Sequence, residues 1–225
     1  MKRVVVPELL DSDAGTPGEV EASITDLRMF NRVFGGVRTM SALLERVAQQ
    51  RGLKELSWVD VAGSEGFVAL EARNAVARSG ITVHPTVLDR APTHMNGDLA
   101  SVCGDALALP FADNSFDAVG CSLFAHHLEP DDVVRFAREG LRVARHAFVI
   151  HDLVRHPAHL ALSYLGFPLY RSRLTRHDAP VSVRRAYTES EMKEMLSRAA
   201  PAAIEIQRHF LFRMGVIVWK QPHTI

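Results

Sequence analysis

Cysteine is nearly missing from this chain: 225 residues hold two, Cys103 and Cys121, with no CxxC pair. That excludes a disulfide scaffold and fits a reducing compartment, so a cytoplasmic location is expected. A surplus of either charge is missing too. Lys plus Arg and Asp plus Glu both number 26, so no net basic field draws nucleic acid, and no nucleic-acid partner is expected. No apolar run approaches the ~20 residues that a membrane helix needs. The stretch Met1-Lys2-Arg3-Val4-Val5-Val6 opens like a secretory leader, but Pro7 and Glu8 end it before an apolar region forms, so no leader is expected. There is no internal repeat and no low-complexity tract. Only Asp11 to Gly18 has linker-like composition, and it reads as a loop. Histidine is plentiful, at 11, yet no HxxxH or His–Cys ligand spacing occurs, so no metal site is expected.

What is present suits one globular unit. Hydrophobic residues make up 47% and charged residues 23%, enough to bury a core, and the length fits a single domain over 1–225. Periodicity predicts helices over Asp26 to Gly35 and Arg38 to Gln50, within an N-terminal helical region of about 20–50. Leu56 to Val61 reads as a buried strand, and a turn over Ala62 to Gly66 leads into a helix from Phe67 to Arg78. Further strands are expected at Ile81 to Leu88, Leu99 to Cys103, Phe116 to Ser122 and His146 to Ile150, with a helix over Glu129 to Leu141. Pro157 to Tyr170 is an apolar helical segment, read as part of a lid over about 153–187. A helix over Glu189 to Ala199 starts from a Thr188 cap with Glu191 in the capping-box position. The strands Ile204 to His209 and Phe212 to Trp219 lack room for a crossover helix, so they form a hairpin turning at Arg213 or its neighbours. Alternating strands and helices imply an α/β fold: a mostly parallel seven-stranded sheet, covered on both faces, with a C-terminal antiparallel hairpin.

In such sheets ligands sit outside the carboxyl ends of the strands. Four features fall there: Asp60-Val61-Ala62-Gly63-Ser64-Glu65-Gly66, Asp89 with Arg90, Gly104-Asp105-Ala106, and Cys121-Ser122 followed by Leu123-Phe124-Ala125-His126-His127. With Leu107-Ala108-Leu109-Pro110-Phe111 and Asn114-Ser115-Phe116-Asp117, this set resembles class I S-adenosylmethionine-dependent methyltransferases. It is most similar to the small-molecule branch of ubiquinone and menaquinone biosynthesis methyltransferases, methyltransferase type 11. The resemblance implies a Rossmann-like fold and S-adenosylmethionine as cofactor. It implies that Asp60, Ala62, Gly63 and Ser64 meet the methionine moiety, that Asp89 accepts the ribose hydroxyls, and that Asp105 and Ala106 bind adenine. Arg90, Cys121 and Ser122 complete the expected set, and Arg32 is expected near the cofactor carboxylate. The family turn usually reads Asp-x-Gly-x-Gly-x-Gly. Here Ala62 and Ser64 replace the first two glycines, and each Cβ disfavours positive φ, so weaker or shifted cofactor binding is expected.

Pro7-Glu8-Leu9-Leu10-Asp11, the stretch Asp26 to Gly36, and Thr175-Arg176-His177-Asp178-Ala179-Pro180-Val181-Ser182-Val183-Arg184-Arg185-Ala186 resemble a bacterial subgroup often encoded beside type III polyketide synthases. That implies an aromatic or lipid-tailed small-molecule acceptor and a place in secondary metabolism. His127, then His126, His151 and His177, are the candidate bases for a phenolic proton, an imidazole having a reference pKa of ~6.5. O-methylation of a phenolic or polyketide-derived acceptor is the first expectation. C-methylation of a quinol-like ring is the second. A different class, an inactive accessory protein that keeps the fold, stays open because of Ala62 and Ser64.

Overall fold

The computed structural model describes residues 1–12, 14–91, 98–200 and 203–221. Two helices come first, α1 (Pro17–Val33) and α2 (Gly36–Arg51). Then follow β1 (Glu55–Val61), α3 (Phe67–Ala77), β2 (Thr82–Asp89), β3 (Ala100–Cys103), β4 (Phe116–Ser122), α4 (Pro130–Val143) and β5 (Ala144–Leu153). The chain continues with α5 (Pro157–Leu165), α6 (Arg173–Arg185), α7 (Glu189–Ala199) and the hairpin β6 (Ile204–His209) and β7 (Arg213–Trp219). One seven-stranded sheet has the order β3-β2-β1-β4-β5-β7-β6. The first five strands run parallel, and β7 is antiparallel to both β5 and β6. This is the expected class I methyltransferase architecture.

Alternation along β1 explains the two cores. Val59 and Val61 pack on one face with Phe136, Phe148 and Met192, under α4 and α7. Leu56 and Trp58 point to the other face and pack with Met40, Leu44 and Ala72, under α2 and α3. The strand order reverses between β1 and β4, so Val61, Leu88 and Cys121 lie side by side at one edge. That edge carries the site.

Three local departures from the sequence reading matter. The first helix begins at Pro17, inside the stretch expected to be a loop (Asp13 of that stretch lies outside the described residues). Thr16 and Glu19 form a reciprocal capping box and Pro17 occupies the first turn, a start signal that outweighs the loop-like composition. Arg173–Arg185 is helical although Pro180 stands inside it; the Ser172 side chain caps its start. Finally, β5 runs on to Leu153, because β7 pairs with it through His151↔Gly215, Asp152↔Met214 and Leu153↔Arg213. His151 and Asp152 therefore sit within the strand and not at its tip. The hairpin turn falls on Phe210 to Phe212, and His209 pairs with Arg213.

Candidate active site

A cavity of about 1220 Å³ opens at the carboxyl edge of β1, β2 and β4. One half is walled by the strand ends. After β1 the chain turns through Ala62 (φ 57°), Gly63, Ser64 (φ 51°) and Gly66 (φ 78°). So Ala62 and Ser64 do adopt the left-handed backbone that suits the glycines they replace, at a cost of roughly 1–2 kcal/mol each. The end of β2 holds the turn in place: the Leu88 carbonyl accepts the Ala62 N–H at 2.7 Å, and Asp89 Oδ2 accepts the Ser64 N–H at 2.8 Å. Gly63 is required for space, since a Cβ there would lie 2.9 Å from Asp60 Oδ2.

Asp89 Oδ1 accepts the Ala91 N–H at 3.0 Å, which leaves each carboxylate oxygen a further lone pair for a ligand hydroxyl. Asp60 is only 1% exposed, and neither of its carboxylate oxygens has a partner among the described residues. Burial, with the Asp89 charge adding, pushes the Asp60 carboxyl up to about 8. An orphaned buried carboxyl in a glycine cradle suits a cationic ligand, and the sulfonium and ammonium of S-adenosylmethionine are cationic. The residues present thus fit that cofactor. Arg90, Asp105, Ala106 and Ser122 also line the cavity, and Asp105 is set by accepting the Leu107 N–H at 2.8 Å.

Two residues expected at the cofactor lie elsewhere. Cys121 is buried in the sheet core, where burial and the Asp152 charge push its thiol up. Arg32 is on the outer surface, 3.3 Å from Glu71 and over the Phe67 ring. The neighbouring turn of α1 instead contributes Arg28, which grips Glu65 with two nitrogens beside the cavity.

The other half of the cavity is built from α1, α5, α6 and the N-terminal arm. Apolar surface comes from Leu27, Phe30, Leu162, Leu165, Leu169 and Tyr170, so the segment read as a lid does face the site. Among the polar groups of this wall, two histidines stand together. A short 3-10 turn after β4, Ala125–His127, presents His126 and His127. His126 Nδ1 is 2.6 Å from Asp152 Oδ1, and its backbone N–H donates to Asp152 Oδ2 at 2.9 Å. His127 Nδ1 is 3.0 Å from Asp11 Oδ2. Both Nε2 atoms face Glu8 Oε1, at 3.6 and 3.7 Å. Burial would lower the His126 imidazole, but the Asp152 and Glu8 carboxylates override it and raise it to about 9.

The remaining candidate bases stand outside the cavity wall. His151 is fully buried in the sheet, and burial beside Arg213 drives it down to about 3. His177 pairs with Asp178 at 2.7 Å and is not among the residues that line the cavity, while Asp178 itself lines it and accepts the Leu9 and Leu10 N–H groups at 2.8 and 3.0 Å. Asp178 thereby ties the N-terminal arm to α6 and puts Glu8 in the wall. Sequence reasoning assigned no role to Glu8 or Asp11, and it placed the hairpin turn at Arg213 or its neighbours. Arg213 is instead 5% exposed in the wall, its Nε and Nη1 unpartnered among the described residues.

Residues 59–147 match the methyltransferase domain family. No curated protein matches the chain. Among solved structures, the chain is similar to the plantazolicin methyltransferase BpumL in complex with SAH, at 11% identity and a TM-score of 0.68 over 95% of each chain. It is similar to the plantazolicin methyltransferase BamL, in complex with a triazolic desmethylPZN analog and SAH, at 12% identity and a TM-score of 0.65, over 95% of this chain and 98% of that one. A SAM-dependent methyltransferase from Aquifex aeolicus matches at 18% identity and a TM-score of 0.50, over 78% of this chain and 88% of that one. At these identities the likeness is one of fold. Together with the family match over residues 59–147, it supports a methyltransferase enzyme that uses S-adenosylmethionine on a Rossmann-like methyltransferase fold.

Proposed function

We propose that the chain transfers the cofactor's methyl group to an oxygen of a small phenolic or polyketide-derived molecule. The observation that carries this reading is the composition of the second half of the cavity. It joins apolar surface from α1 and α5 to a polar side made of Glu8, His126, His127, Asp178 and Arg213, a wall that suits a mostly apolar acceptor oriented by a few polar groups. The bound cofactor supplies a methyl group already activated on a sulfonium, so the protein's part is alignment and exclusion of water. In this reading Asp60 and the Ala62–Ser64 turn hold the methionine end, Asp89 the ribose, and Asp105 with Ala106 the adenine. His126 and His127 receive the acceptor hydroxyl, and α5 covers it. The exposed Leu165 and Leu169 stand at the mouth, 74% and 68% exposed, ready to be covered when an acceptor binds.

Calorimetry with S-adenosylmethionine, followed by a mass-gain screen of phenols, resorcinols, pyrones and quinols, tests this. One methyl added to an oxygen of an aromatic acceptor is the expected result. Methyl transfer confined to ring carbon overturns the O-methyl reading, and absence of cofactor binding overturns the whole of it.

A further inference from the structure

Glu8, His126 and His127 are more than a hydrogen-bonding group. We infer that they bind a first-row divalent cation, and that this ion holds the acceptor oxygen. The second half of the inference rests on the O-methylation reading; the metal site does not.

The distances come first. His126 Nε2 and His127 Nε2 lie 3.6 and 3.7 Å from the same Glu8 Oε1, and the three ligand atoms all fall within 4.8 Å of one another. Such separations are too long for good hydrogen bonds, which span about 2.7–3.2 Å. They match a metal centre: ligands about 2.0–2.1 Å from a tetrahedral zinc ion sit about 3.4 Å apart. The three side chains converge on one point with separations from Glu8 Oε1 longer than an ordinary hydrogen bond.

The outer contacts agree. Each imidazole has its Nδ1 against a carboxylate, Asp152 for His126 and Asp11 for His127, which directs each Nε2 lone pair inward. The Ser182 hydroxyl donates to Glu8 Oε1 at 2.8 Å and fixes that carboxylate. A carboxylate behind each ligating histidine is the usual outer shell of a metal site. Glu8 and His126 are 8% and 2% exposed, and three carboxylates face two imidazoles there, with Arg185 3.7 Å from the outermost, Asp11. Two nitrogens and one oxygen suit zinc, iron, cobalt or manganese better than calcium.

All three ligands line the cavity, so the ion's remaining positions open toward the acceptor, as in catalytic rather than structural sites. A hydroxyl bound there gives its proton to bulk water more readily than when free. Its oxygen lone pair then forms the O–CH3 bond as the S–CH3 bond breaks, and that bond's electron pair passes to sulfur.

Full-length protein stripped with a chelator, equilibrated with Zn2+ and assayed by elemental analysis tests the site. One ion per chain is expected, with Co2+ giving the visible spectrum of nitrogen and oxygen ligation. Glu8→Gln, which keeps the shape, and His127→Ala, at the more open ligand, should both fall to background while thermal unfolding shows them folded. Asp11→Asn should weaken binding about 10–100-fold. A folded wild-type chain that takes up no ion, or a Glu8→Gln variant that binds as well as wild type, overturns the site. Undiminished phenol methylation by the stripped protein overturns the ion's role in holding the acceptor. A bound ion with no phenol methylated supports the site and overturns the acceptor reading.

Discussion

The two halves of the cavity are assembled in different ways. The cofactor half is made of strand ends, each with its functional residues within a few positions of a buried strand: Asp60 to Ser64 after β1, Asp89 at the end of β2, Asp105 and Ala106 after β3. The acceptor half joins segments far apart in the chain. Glu8 and Asp11 come from the N-terminal arm, His126 and His127 from the turn after β4, Asp152 from within β5, and Asp178 and Ser182 from α6. The first half is held by backbone hydrogen bonds of the sheet edge. The second is held by side-chain charge pairs in a buried setting. Breaking the buried His126–Asp152 pair of the acceptor half should therefore cost stability, whereas loss of Asp89 in the cofactor half should chiefly affect binding.

The largest expected effect tests that contrast directly. Asp152→Ala removes the carboxylate from a buried pair and strands His126. Breaking one side of a buried ion pair typically costs about 3–5 kcal/mol. Urea unfolding should show a loss of this size; a loss below about 1 kcal/mol would erase the distinction between the halves.

Next is the pH dependence carried by Asp60. Its carboxyl stands at about 8 in the folded protein against an ordinary 3.8, through burial and the Asp89 charge. Between those two values the folded chain keeps a proton that the unfolded chain has released. Stability from this group is thus full below about 4 and is lost as pH climbs toward about 8. Unfolding of the cofactor-free protein across that window should show the decline, and Asp60→Asn should flatten it. An identical slope in the variant would mean that Asp60 is ionised in the folded state.

A smaller effect is expected at Asp89. Asp89→Ala should weaken S-adenosylmethionine binding by about 1–3 kcal/mol, the loss expected for charged hydrogen bonds. Calorimetry on the folded variant checks it, and unchanged affinity would remove Asp89 from the ribose site.

The same division decides what could be read from sequence. The strands, the mostly parallel sheet and its terminal hairpin were legible because strand periodicity is a local signal. Asp89 and Asp105 alone would read as ordinary turn residues; it was the resemblance of the whole set of strand-end motifs that singled them out. His126 and His127 were visible as a pair, but their partner Glu8 was not, since only the Asp178 contacts with Leu9 and Leu10 bring the arm across. A search for ligand spacing along the chain misses a site whose third member arrives through tertiary packing. Arg213 was missed for a related reason. The turn was placed at Arg213 or its neighbours; it falls on Phe210 to Phe212, and the pairing of Arg213 with Leu153 puts it inside the sheet. Arg32 was placed near the cofactor by helix position alone; it faces Glu71 on the outer surface, and Arg28, one turn earlier, lines the cavity.

The smallest expected effect concerns Ala62 and Ser64. Both hold positive φ, at 57° and 51°, and both are fastened by hydrogen bonds to the end of β2. Glycine at either position relieves about 1–2 kcal/mol of backbone strain. It also frees the unfolded chain, which costs about 0.5–1 kcal/mol. The net gain in stability is therefore about 1 kcal/mol or less per site. Cofactor affinity should stay equal or tighten in the double variant, because the backbone already has the shape glycine allows and only two Cβ atoms and a hydroxyl are removed. A combined thermal and calorimetric measurement checks both parts. A large loss of affinity with unchanged stability would show that the Ser64 hydroxyl bonds the cofactor, and that this turn binds by side chain where its glycine counterparts bind by backbone alone.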